Sequence, residues 1–209
     1  ALKFVDLLSY YEMKERAGTV GGGLSVALQA VRAAEAGLRI HLIGHSFGAR
    51  LVTSAAKGPG TFQATSMVLL QAAFSHNAFS ANYKDGKAGY FRSVVAENRI
   101  SGPIAITHTI NDDAVGVAYP WASRLANQQA ARVGGPVDVY GALGRNGAIK
   151  TSEADSLAMG PSGHKYAFRA GRIHNLLADS YIQDRGGEDA HGDVRNTAVA
   201  NVVLATAGF

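Results

Sequence analysis

Between residues 39 and 208, short apolar runs alternate with stretches of helical periodicity, and this alternation limits the fold more than any other feature of the chain. "RIHLIG" (39–44) reads as a short buried strand, and "ARLVTSAA" (49–56) continues as helix. "SMVLLQAAF" (66–74) and "PIAITHT" (103–109) read as further strands, followed by the helical stretches "GYFRSVVAENR" (89–99) and "YPWASRLANQQAARVG" (119–134). "RIHNLLADSYI" (172–182) reads as a last strand and "VRNTAVANVVLATAG" (194–208) as a closing helix. Strands that are apolar throughout, separated by helices of this length, predict an α/β fold with a parallel sheet covered on both faces. Residues 134–171 are glycine-rich without strong periodicity and read as an irregular excursion.

Ahead of the first strand, Leu2, Val5, Leu8 and Tyr11 repeat at helical spacing, so a helix is expected over Leu2–Arg16 with Gly18 as its stop. Leu24–Ala36 reads as a second helix closed by Gly37, with the Gly21–Gly23 triplet as the hinge between them. The triplet is not a phosphate loop, because no strand precedes it and no Lys-Ser/Thr pair follows. No internal repeat or domain boundary interrupts the chain, and residues 1–209 read as a single domain.

Composition narrows the chemistry. The chain has no cysteine, which excludes disulfide scaffolds, thiolate zinc sites and thiol nucleophiles, and fits a reducing, cytoplasmic compartment. No apolar run reaches the roughly 18 residues of a membrane span, and acids stand where a signal peptide would be apolar, so no stable membrane insertion is expected. The net charge of +4 is spread over single basic residues rather than a basic arm, so no nucleic-acid partner is expected.

Gly44-His45-Ser46-Phe47-Gly48 fits G-x-S-x-G, a weak signal alone in a chain with 25 glycines. Its context strengthens it: a strand precedes and a helix follows, as a sharp turn that exposes the serine hydroxyl requires. Glycines on both sides of Ser46 lack the Cβ atoms that would clash in such a turn. Ser46 then also stands at a helix N-terminus, where backbone N–H groups can stabilise an oxyanion. A serine needs a base and an orienting acid, and this turn predicts the chain order Ser, Asp or Glu, then His. Acids at the carboxyl end of the next-but-one strand, Asp112 and Asp113, lie on the same rim, while residues 72–84 hold no acid. Of the later histidines, His191 lies in a loop between the last strand and the closing helix and is the first candidate. His164 in a loop and His174 inside a strand are the alternatives. His45 is too close in sequence to serve its neighbour, and His41, His76 and His108 break the order.

With "GHSFG", "THTINDDAVG" after a strand and "HGDV" before a terminal helix, nearly the whole chain resembles the α/β-hydrolase fold, in particular its serine esterases and lipases. A common acid segment there is His-Gly-x-x-Asp-x-x-Val. "HTINDDAV" matches it with Asp112 at the acid position and Thr109 in place of glycine, which favours Asp112 over Asp113. The resemblance implies a catalytic Ser46, Asp112 and His191, an oxyanion donor in the Phe47 backbone N–H, and no metal or organic cofactor. It implies hydrolysis of small-molecule or lipid carboxylic esters through an acyl-enzyme. In that family the nucleophile follows the fifth of eight strands, and a second oxyanion donor follows the third. Here only helices precede the strand that leads to Ser46, with no equivalent of the first four strands, so the resemblance implies the carboxyl-terminal part of the fold, from the helix before the elbow onward, in an N-terminally incomplete domain. A second reading is a non-catalytic or truncated module of this fold that acts by association, since losing one oxyanion donor costs about 10²–10³ in kcat. On either reading Arg39–Gly44 becomes an apolar sheet edge. It is expected to be covered by the N-terminal helices, by self-association, or by the missing N-terminal segment.

Overall fold

A computed structural model describes residues 2–118, 140–186 and 189–208. The five strands β1 (His41–His45), β2 (Ser66–Leu70), β3 (Ile104–His108), β4 (Ala154–Ala158) and β5 (Ile173–Leu177) form one parallel sheet in the order β1-β2-β3-β5-β4. The helices are α1 (Leu2–Ala34), α2 (Phe47–Lys57), α3 (Arg92–Ala96), α4 (Leu143–Asn146) and α5 (Thr197–Ala207), with a π-helical turn at Ala114–Ala118. The four strands read from the sequence are all present, each shorter than its apolar run. The helix expected over 119–134 lies outside the described residues.

Alternate strand residues divide two cores. Ile40, Leu42, Met67, Leu69, Ile104, Ile106 and Ile173 face α2, α3 and the loop carrying Phe74 and Phe79. Val68, Leu70, Ala105 and Leu176 face α5 through Ala198, Val199 and Val202. A sheet buried on both faces needs apolar side chains at successive positions, so β2 is buried at all five residues. Helix α5 begins where the Asn196 side chain accepts from the Val199 N–H at 3.0 Å, and ends at Gly208, whose φ of 83° suits glycine.

Two expectations need correction. The N-terminal segment is one 33-residue helix, about 50 Å long, and not two helices hinged at Gly21–Gly23. Ala17, Gly21 and Ser25 recur every four residues as a buried stripe along the line where α1 packs on α2. A Cβ on Gly21 would lie 2.4 Å from the Leu51 carbonyl oxygen and 2.6 Å from the Ser54 Cβ, so glycine there serves close helix packing, not a break. The excursion over 134–171 holds a strand, β4, which no apolar run announces. It lies at the edge of the sheet with three of its five residues exposed, and an edge strand tolerates its Asp155 and Ser156.

Strand β1 forms the other edge. Helix α1 lies along α2 rather than over β1, so the N-terminal helix does not cover that edge; Ile43 remains 47% exposed. Among the described residues no helix is long and apolar enough to cross a membrane.

Candidate active site

Ser46 joins β1 to α2 with φ 56° and ψ −123°, a conformation that costs a non-glycine residue about 1–3 kcal/mol. The surrounding backbone holds it there. The Ser46 N–H donates to the Leu70 carbonyl at 3.1 Å, and its own carbonyl accepts from Ala49 and Ala73 N–H, each at 3.2 Å. A Cβ on Gly44 would lie 2.5 Å from the Gly48 carbonyl oxygen and 2.6 Å from the Ala49 nitrogen. Nothing lies within 4 Å of a Cβ built on Gly48, so the steric argument for the flanking glycines holds on one side of the serine and not on the other.

Serine is a favoured N-cap, yet the Ser46 side chain makes no capping bond to α2. Its Oγ lies instead 2.8 Å from His191 Nε2, while His191 Nδ1 lies 2.8 Å from Asp112 Oδ2. Asp112 is fully buried where the chain leaves β3 for the π-helical turn, and the Val115 N–H donates to its Oδ1 at 3.1 Å. Burial alone would raise the Asp112 pKa. The His191 hydrogen bond and charge, with the bonds from Gln71 and Val115, outweigh it and hold the carboxyl below its ordinary value. An ionised carboxylate can only accept, so His191 Nδ1 donates to Asp112, and in the tautomer protonated there Nε2 accepts from the Ser46 hydroxyl. Asp113, the other candidate, is 86% exposed and reaches Arg145 at 3.9 Å.

Two residues at this site escaped the sequence reading. Gln71 follows β2 with a positive φ of 41°, and its Nε2 donates to Asp112 Oδ2 at 3.1 Å and to the Gly144 carbonyl at 3.0 Å. Its signal was visible: it is the polar residue that ends an apolar strand run on the rim where Ser46 emerges. His45 cannot reach Ser46 as a base, but its Nε2–H donates to the His191 carbonyl at 2.8 Å, and the two rings lie 4.6 Å apart. Burial, and then the nearby His191, lower the His45 pKa, in keeping with a neutral ring that donates from Nε2. No local pattern announces that contact, because 146 residues separate the partners.

The alternative histidines lie elsewhere. His174 is buried in β5, where its Nε2 accepts from the Arg169 N–H at 3.0 Å; His164 packs edge-on against Tyr166. Phe47 opens α2 and packs on Ala73, Val115 and Ala142. The first-turn amides of a helix have no intrahelical acceptor, and the Ser46 hydroxyl does not serve them here. The loop bearing His191 is fastened by Asp193, which accepts from Arg185 Nε at 2.7 Å and from the Gln183 N–H at 3.0 Å. Among the described residues no group of three His, Asp or Glu side chains is arranged to hold a metal ion.

The fold and site therefore define an α/β protein with a Ser–His–Asp hydrogen-bonded line at the carboxyl ends of a parallel sheet. No family model, curated protein or solved structure matches the chain.

Proposed function

We propose that the chain is a serine hydrolase of carboxylic esters, of the α/β-hydrolase kind, acting through an acyl-enzyme on Ser46. The observation that carries this reading is the pair of 2.8 Å contacts from Ser46 Oγ through His191 to Asp112, on a backbone turn strained at the serine. His191 Nε2 takes the Ser46 proton as Oγ attacks the ester carbonyl carbon. The oxyanion that forms lies against the amino end of α2, where the Phe47 N–H stabilises it. Collapse breaks the bond to the alcohol oxygen, which leaves with the proton that His191 holds. Water then attacks the acyl carbon, giving its proton to His191 and releasing the acid and the Ser46 hydroxyl. Asp112 orients the ring throughout and offsets the charge that His191 gains.

A fluorophosphonate probe tests the assignment. The intact protein should gain one probe adduct, mapped by mass spectrometry to the peptide containing Ser46, and Ser46→Ala should gain none. Labelling that persists in Ser46→Ala, or no labelling of a folded native chain, would overturn the nucleophile assignment.

A further inference from the structure

One helical turn beyond Ser46, Arg50 of α2 enters a cavity of about 500 Å³ that the ester chemistry does not use, within the size range of small-molecule sites. Phe74, Tyr83, Tyr90 and Phe91 supply its apolar walls, and Lys14 of α1 joins Arg50 as its second cation. Phe74 directly follows Ala73, whose N–H holds the Ser46 carbonyl, so the cavity adjoins the nucleophile's turn.

The described lining of this cavity carries two cations, Lys14 and Arg50. Among the described residues no Asp or Glu lines it. Arg50 gives its Nε–H to the Lys14 carbonyl at 2.8 Å, and its Cζ lies 5.3 Å from the Tyr90 ring centre and 5.7 Å from that of Phe91. The guanidinium is thus held in place by backbone and aromatic faces. Two further cations brace the walls: Lys57 Nζ sits 3.5 Å from the Tyr90 ring centre, and Lys150 Nζ donates to the Tyr83 carbonyl at 2.7 Å. Burial, and next the charge of Arg50, lower the Lys14 pKa against the opposing effect of exposed Glu15.

We propose that this cavity binds an oxyanion, a carboxylate or a phosphate, borne on a flat apolar stem. Arg50 and Lys14 grip the charge, and the tyrosine and phenylalanine rings hold the stem. Resting on the hydrolase reading, the cavity becomes the subsite for an ester that carries a second, negatively charged group. An arginine fork and an ammonium suit either oxyanion, and the ligand series below separates them.

The test is calorimetric titration of Ser46→Ala, which cannot turn over an ester, with benzoate, phenyl phosphate and neutral benzamide, paired with amide chemical shifts. The anions should bind about tenfold or more tightly than benzamide, with shifts centred on residues 74–91. Arg50→Gln and Lys14→Gln should each weaken the anions by about tenfold and leave benzamide unchanged. The tighter of benzoate and phenyl phosphate identifies the oxyanion. Equal affinity for the neutral ligand, shifts elsewhere, or variants that fold and bind as well as the parent would overturn the proposal. Because the titration needs no turnover, it fails only if the cavity takes no anion, whereas fluorophosphonate labelling fails only if Ser46 is not the nucleophile.

Discussion

At the scale of single residues, the backbone of Ser46 and the carboxylate of Asp112 carry the sharpest demands. A buried acid that accepts from an imidazole, an amide side chain and a backbone N–H is matched to the charged, acceptor-only state. On the hydrolase reading, Asp112→Asn presents a donor where His191 Nδ1–H needs an acceptor, and kcat for a p-nitrophenyl ester should fall by about 10⁴. Asp113→Asn, at an exposed side chain, should change it by about twofold at most. His45 supports His191 through one donated bond, which makes it a positioning residue. His45→Phe keeps a ring but leaves the His191 carbonyl short of a donor, and a loss of about 1–3 kcal/mol in kcat/KM is expected. His45→Gln restores a donor and should recover most of it; equal loss in both variants would assign His45 to packing alone.

At the scale of elements, the glycines of α1 separate two roles that sequence alone merges. Gly21 meets α2 backbone at contact distance, while a Cβ on Gly23 would meet nothing within 4 Å. Gly23→Ala should therefore stabilise the chain by about 0.5–1 kcal/mol through helix propensity. Gly21→Ala should destabilise it by about 1–3 kcal/mol through overpacking. Urea denaturation of the two variants checks both signs. At the far edge, α3 is tied to the segment entering β4 by Arg92, whose guanidinium donates to both Glu153 oxygens at 2.7 and 2.9 Å. That bond pulls the Glu153 pKa from 4.5 down to about 2. The unfolded chain binds this proton first, so the stabilisation is whole above pH about 4.5 and is lost as pH falls toward about 2. Glu153→Gln should flatten the acid side of the stability profile within that window.

At the scale of the whole molecule, the sheet ends on β1, and the direction of its hydrogen bonds shows what the edge presents. Ile40 and Ser46 bond toward β2, so in a parallel ladder Leu42 and Gly44 do too, and His41, Ile43 and His45 direct their backbone groups outward. In dilute protein, the amides of His41, Ile43 and His45 should exchange with solvent faster than those of Leu42 and Gly44. Protection of Ile43 that grows with protein concentration would mark a second copy on the edge. The net charge of +4 is likewise not uniform in space: Lys14, Arg50, Lys57 and Lys150 come from distant parts of the chain and gather at one cavity.

The sequence by itself determined the elements whose physics is local. Runs such as "SMVLL" and "IAITH", short and bounded by turn residues, read as strands buried on both faces, and "GHSFG" between a run of this kind and a helix marks the turn at Ser46. The order of acid and histidine along the chain also drew attention to Asp112 and His191, because residues at the carboxyl ends of parallel strands share one rim. Tertiary structure decided whatever depends on neighbours distant in sequence. It kept α1 unbroken through three glycines because α2 approaches Gly21 closely, and it paired the polar strand β4 with the sheet because an edge needs only one partner. It set His45 behind His191 and Gln71 beside Asp112. It also drew solitary cations together, since charges spaced singly along a chain converge only when the chain is folded.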